Sequence, residues 1–270
     1  MSGAGNDFLV LGPEEAGCLD GDATEWVRRV CRRGLSVGAD GVLLVEPAGT
    51  DRVRVTFLNP DGSPAFCGNG SRCAARFAVW RGMAGPNLVL DTAAGPVPAE
   101  VRDRRVSLRL AAPRDGGALE LTFGAETLVG RSIHAGTLHF VTFVPDPSRA
   151  PLERWGPLVR RHPLFAPAGT NVNVLHCAGA LATLRTWEKG VERETLACGS
   201  GAVAAAAAAR ARGAGDRITV VPASGIPLEV AFDAAGAVTL TGDARFVFEG
   251  RLSPEALNGF PPAPAPPRHE

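Results

Sequence analysis

An excess of charge of either sign is missing from this 270-residue chain: 28 Lys plus Arg balance 28 Asp plus Glu, and no basic block stands out. Nucleic-acid and anionic-membrane binding, which depend on basic patches, have no support in that balance. Long hydrophobic runs are missing too. The longest apolar stretch, residues 202–209, is nearly all Ala and falls well short of the roughly 20 residues that span a bilayer. It reads as a tightly packed helix of a globular protein. The N-terminus lacks a basic segment followed by an apolar one, so no secretion signal is expected and the cytoplasm is the expected compartment. Cys18, Cys31, Cys67, Cys73, Cys177 and Cys198 form neither CxxC pairs nor close Cys/His ligand spacings. That argues against a structural zinc site, and at this length against a disulfide framework. The opening loop Gly3-Ala4-Gly5-Asn6-Asp7-Phe8 is Gly-rich, yet no Gly-Lys-Ser/Thr follows it, so it is not a phosphate loop.

What the chain does have is punctuation. Gly (33) and Pro (22) cut it into short segments. The pattern predicts strands over 51–58, 87–92, 104–110, 139–144, 171–175, 181–187, 217–221, 228–232 and 238–241. Helices are predicted over 23–33, with Thr24 or Asp22 as cap, and over 69–81, 151–161 and 199–212. The order of elements in the two halves matches, as if one plan were used twice. A break is expected at Pro113-Arg-Asp-Gly-Gly117. That gives one domain over 1–113, completed by 246–260, a second over 114–245, and a disordered Pro/Ala-rich tail over 261–270.

Each half contains one Cys-Gly-x-Gly turn: Cys67-Gly68-Asn69-Gly70 and Cys198-Gly199-Ser200-Gly201, both directly before a predicted helix. A helix start has unpaired N–H groups and partial positive charge, which favours a thiolate and can hold a carboxylate. A free Cys alone is more often a small buried apolar residue, but two matched turns point to function. Cys73 lies inside the first helix and is expected to face the core. Asn59-Pro60-Asp61-Gly62-Ser63 is composed like a turn, although Asn59 could offer an amide to a nearby site. Either His139 or Glu188 could set the protonation of a neighbouring thiol.

Taken together and in order, these motifs resemble the diaminopimelate epimerase family of cofactor-independent amino-acid racemases. The resemblance rests on Gly3–Phe8, Gly38-Ala39-Asp40-Gly41, 59–63, Cys67-Gly-Asn-Gly-Ser-Arg-Cys73, Thr170-Asn-Val-Asn173 and Glu194-Thr-Leu-Ala-Cys198-Gly-Ser-Gly201. It implies an α+β fold of two similar domains, each a β-rich barrel-like sheet around a central helix, with the site at the domain interface. It also implies inversion of one α-carbon of LL-2,6-diaminopimelate to the meso form, in lysine biosynthesis, by a homodimer that needs neither pyridoxal phosphate nor a metal. Cys67 and Cys198 match the catalytic acid and base. His139 matches a group tuning Cys67 and Glu188 one tuning Cys198. Asn6, Asn59 and Asn171 match substrate-contacting amides, Gly68-Asn69 and Gly199-Ser200 match the carboxylate-holding helix starts, and Glu188-Lys189 matches a Glu-Arg pair near the far end of the substrate.

Three departures accompany the resemblance. The family's short strand before the Gly-rich loop is not seen ahead of Gly3. Lys189 stands for Arg and lacks its bidentate fork. Thr137 and Leu138 stand for Asn-Pro. Lys189 and Thr137 leave open a related racemase of another amino acid, such as histidine or hydroxyproline. A thiol redox protein would need CxxC-like spacing, and a binding module gives no reason for two thiols at matched helix starts.

Overall fold

Alternating burial shows why the short segments form strands. In Arg52–Leu58, Val53, Val55 and Phe57 point inward and the residues between them point outward or lie half-buried. The computed structural model describes residues 1–16, 23–124 and 126–257. Cys18, the Asp22 cap and the 261–270 tail lie outside the described residues. The chain divides into two compact units, one formed by Met1–Val106 with the chain from Ala244 on, the other by Ser107–Asp243.

In the first unit, Leu9–Leu11 pairs parallel with Val42–Gly49, which pairs antiparallel with Arg52–Leu58. That strand pairs parallel with Asn87–Thr92, which is followed by antiparallel Gly95–Arg102. Helix Ala23–Val30 makes the first parallel crossover and Gly68–Trp80 the second. Parallel neighbours require such a crossover. Val27 and Val30 of the shorter helix are buried with Cys31, Ala39 and Val42. Thr24, expected as its cap, lies inside this helix.

The second unit repeats that plan. Thr137–Phe143 pairs parallel with Asn171–Ala178, which pairs antiparallel with Leu181–Glu188. Leu181–Glu188 pairs parallel with Arg217–Val221, and antiparallel Leu228–Phe232 and Val238–Asp243 follow. Leu152–Arg160 and Gly199–Arg210 are the two crossover helices. In each unit a two- or three-residue strand, Pro64–Ala65 or Arg193–Thr195, pairs back on the strand before the helix and delivers the chain to a cysteine. Leu121, Leu128, Phe140, Leu152, Val159, Phe165, Val172 and Val174 form one buried cluster of the second unit.

Nine of the described strands were not expected; the four long ones are Val42–Gly49, Gly95–Arg102, Arg114–Phe123 and Glu126–Ala135, and the other five have two or three residues each. The 113–117 segment is not a break. Arg114 opens a strand there, and its Asp-Gly-Gly forms an irregularity in the pairing with Glu126–Ala135. Among the described residues no helix is long and apolar enough to cross a membrane.

Candidate active site

In the first unit, the Asn59–Ser63 turn reverses the chain onto Pro64–Ala65. Asn59 N–H donates to the Ser63 carbonyl (2.9 Å), and its Nδ2 donates to the same carbonyl and to Ser63 Oγ. Two hydrogen bonds from Ser63 hold the Asp61 carboxyl below its ordinary value. The chain then reaches Cys67, whose extended backbone (φ −136°, ψ 115°) makes it the N-cap of Gly68–Trp80. Its Sγ accepts from Gly70 N–H (3.4 Å) and its carbonyl from Ser71 N–H.

A directed amide chain runs behind this helix start. Arg72 is fully buried and can only donate, so Asn69 Oδ1 faces its Nη2 (2.7 Å). Asn69 Nδ2 then donates to Asn6 Oδ1 (2.5 Å), and Asn6 Nδ2 to Asp40 Oδ2 (2.8 Å). Arg33 closes the chain on Asp40 and Asp7. Burial would raise the Asp7 carboxyl, but the Arg33 bond and charge outweigh it and hold it below its ordinary value. Gly3 lets the opening loop lie on the helix, since a Cβ there would sit 2.7 Å from the Asn69 carbonyl oxygen. Cys73 faces the core as expected, its thiol pushed up to about 12 by burial.

In the second unit, Cys198 (φ −117°, ψ 114°) caps Gly199–Arg210 in the same way. Its Sγ accepts from Gly201 N–H (3.4 Å) and lies 3.4 Å from Ser200 Oγ. Ala202 N–H bonds the Cys198 carbonyl. The Gly199 and Ser200 N–H groups therefore stay outside the helical ladder, as donors for an anion. Glu188 ends its strand, with Oε2 accepting from Thr195 Oγ1 (2.8 Å). Lys189, the chain's one lysine, donates its backbone N–H to Asn171 Oδ1 (2.8 Å). Asn171 Nδ2 reaches the Leu138 carbonyl (3.3 Å), so this amide ties two strand ends together.

His139 belongs to the same unit as Cys198 and is fully buried. Its ring is held neutral, with a pKa lowered to about 3, first by burial and then by the positive charges of His134 and Lys189. Asn173 joins its Nδ1 (3.1 Å) to Thr186 (2.9 Å). A Cβ on Gly201 would lie 2.9 Å from Asn173 Oδ1 and 3.2 Å from Thr186 Oγ1. The histidine and the cysteine-led helix start thus share one support.

Of the residues singled out from sequence, Asn6, Cys67, Gly68 and Asn69 gather at one helix start. His139, Asn171, Lys189, Cys198, Gly199 and Ser200 belong to the other unit, linked through the contacts above. The Asn59 amide is engaged in its own turn. Sequence reasoning missed Asp40, Arg72 and Asn173, although all three lie within quoted motifs. It also missed Thr186, which had no motif to mark it. Among the described residues no group of three or more His, Cys, Asp or Glu could hold a metal.

A sheet folded about a central helix, used twice, is a fold that other proteins share. Solved structures of a hydroxyproline epimerase from Agrobacterium vitis (22% identity, TM-score 0.61, 83% of this chain and 78% of that one) and of a methylitaconate-delta-isomerase (14%, 0.62, 96% and 95%) share it. The sequence relationship is narrower. The family model described as diaminopimelate epimerase matches residues 1–110 and 131–247. The diaminopimelate epimerase of Aquifex aeolicus is 38% identical over 275 residues, covering 95% of this chain and 98% of its own. That of Archaeoglobus fulgidus is 37% identical over 272 residues, covering 93% and 94%. The chain belongs to the diaminopimelate epimerase family, a family of isomerases.

Proposed function

We propose that the protein inverts one α-carbon of LL-2,6-diaminopimelate to give the meso isomer, without pyridoxal phosphate, by proton transfer between Cys67 and Cys198. One observation carries the reading: each unit leads a short strand within three residues to a cysteine that caps a helix, with a backbone N–H on its sulfur. One sulfur, as thiolate, removes the α-hydrogen as a proton. The other, as thiol, gives its proton to the opposite face of the carbanion, so the two exchange protonation states in each turnover.

The obstacle is the weak acidity of the α-hydrogen. Charge builds on the α-carboxylate as the proton leaves, and the N–H donors of Gly68, Gly199 and Ser200 suit that charge. A single preorganised donor of this kind is worth about 3 kcal/mol in a transition state. Asn69 belongs to the first of those starts, Asn6 and Asn171 serve as substrate amides, and Glu188 with Lys189 serves the distal end of the substrate. Asn59 is offered as a further substrate amide. Lysine biosynthesis, a cytoplasmic setting and a homodimer belong to the same reading.

Solvent deuterium incorporation at the α-carbon tests it. In D₂O, exchange is expected with LL-diaminopimelate and not with L-histidine or hydroxyproline, and either Cys→Ala change should abolish epimerisation to the meso isomer. Near-normal epimerisation by C67A or C198A would sink the two-thiol mechanism. Exchange confined to another amino acid would transfer the site to a different substrate.

A further inference from the structure

We infer that Asn173 fixes His139 as the neutral Nε2–H tautomer, so that the ring acts as a hydrogen-bond donor and cannot accept a proton. The orientation of Asn173 follows from chemistry alone. The Phe140 carbonyl 3.2 Å away can only accept, so Nδ2 must face it. On the other side, Thr186 Oγ1 donates to Oδ1 at 2.9 Å. The second Nδ2 hydrogen is then directed at His139 Nδ1, 3.1 Å away. A donor facing Nδ1 requires a lone pair there, which leaves the ring proton on Nε2. Asn173 and Thr186 lie directly opposite each other in paired strands, so the arrangement is set by the sheet register.

Protonation of Nδ1 as well would set it against the amide donor. The positive groups bearing on the ring, His134 and Lys189, oppose it too. His139 Nε2 is fully buried and has no hydrogen-bond partner among the described residues. A buried donor is rarely left so. It needs an acceptor, and a carboxylate oxygen of the substrate or a thiolate sulfur would supply one. Asn173 is therefore a positioning residue. Its consequence for proton transfer rests on the epimerase reading; the tautomer itself does not.

Protein labelled with ¹⁵N-histidine reports the tautomer in two-bond ¹H–¹⁵N spectra, with His139→Gln assigning the signal by its loss. A neutral Nε2–H pattern, unchanged from about pH 5 to 8, is expected. An Nδ1–H pattern, or titration near the ordinary 6.5, overturns the inference. Asn173→Asp puts an acceptor against Nδ1 and should move a proton there. A folded N173D that keeps the wild-type pattern overturns the role of Asn173, and if N173D does not fold the wild-type spectrum still decides the tautomer. With the proton moved, kcat should fall roughly a hundredfold with KM little changed, and unchanged turnover would refute the catalytic consequence. Adding LL-diaminopimelate, or separately replacing each of Cys67 and Cys198 with Ser, distinguishes a carboxylate from a thiolate as acceptor by which change shifts the Nε2–H proton. If no LL-diaminopimelate is turned over but the Nε2–H pattern holds, the epimerase reading fails while the tautomer stands.

Discussion

Gly70 and Gly201 occupy the same place in the two Cys-Gly-x-Gly turns, but an added methyl would meet different surroundings. At Gly70 it would lie 3.1 Å from Leu43 Cδ2 and 3.5 Å from Cys67 Cβ. A leucine methyl can yield a few tenths of an ångström, and Ala gains up to about 1 kcal/mol over Gly in a helix, so Gly70→Ala should be near neutral. At Gly201 the methyl would sit 2.9 Å from Asn173 Oδ1, 3.1 Å from Cys198 Cβ and 3.2 Å from Thr186 Oγ1. Asn173 cannot yield cheaply, because His139, Phe140 and Thr186 all hold it. Overpacking costs about 1–3 kcal/mol and a weakened buried hydrogen bond about 1 kcal/mol more, against the same helical gain. Gly201→Ala should therefore lose about 2 kcal/mol, lowering the melting temperature by about 4–8 °C. Displacing Cys198 Cβ by even part of an ångström should cut turnover more sharply, roughly ten- to a hundredfold. Scanning calorimetry with α-proton exchange on G70A and G201A checks both. A G201A protein as stable and as active as wild type would refute the reasoning.

Arg72→Met leaves the Asn69 Oδ1 and Gly68 carbonyl acceptors without their buried donor. It should cost about 3 kcal/mol in urea unfolding, and a loss below 1 kcal/mol would count against the amide chain. The pH dependence of stability should show His139. Its folded pKa near 3 lies below its ordinary 6.5, so the unfolded chain binds the proton first and stability falls as pH drops below 6.5. The slope approaches about 1.4 kcal/mol per pH unit, and H139Q should flatten it between about pH 6.5 and 5, before carboxylates contribute. Iodoacetamide should modify half-buried Cys67 before buried Cys73 and Cys31, whose thiols sit near 12. Mass spectrometry of the peptides reads the order, and earlier labelling of Cys73 would contradict it.

Where burial alternates along the sequence, the fold could be read before the structure, as in residues 52–58 and 181–187. Gly95–Arg102 escaped because Pro96 and Pro98 suggest a loop, yet both prolines lie on the exposed face while Val97, Ala99 and Val101 fill the core. Arg114–Phe123 escaped because Asp-Gly-Gly has turn composition that the strand uses as an irregularity. The cysteine turns were legible because capping is local: Cys, Gly and the following helix are neighbours in sequence. The support behind His139 was not. Asn173 and Thr186 look like ordinary polar positions until the register sets them opposite each other, and a register joins residues far apart in the chain.

The helix that Cys198 caps packs against strands of its unit from Glu126–Ala135 round to Val238–Asp243. Ala202, Val203, Ala204, Ala205, Ala206, Ala208 and Ala209 along it are all buried. Its girth is therefore fixed by the sheet, and side chains that clear the strands must stay close to the size of a methyl group. That sets the evolvability of the enzyme. Loops and outward-facing strand positions can vary, while this rod tolerates exchange only among the smallest residues. A library seeking new substrates gains nothing by diversifying it.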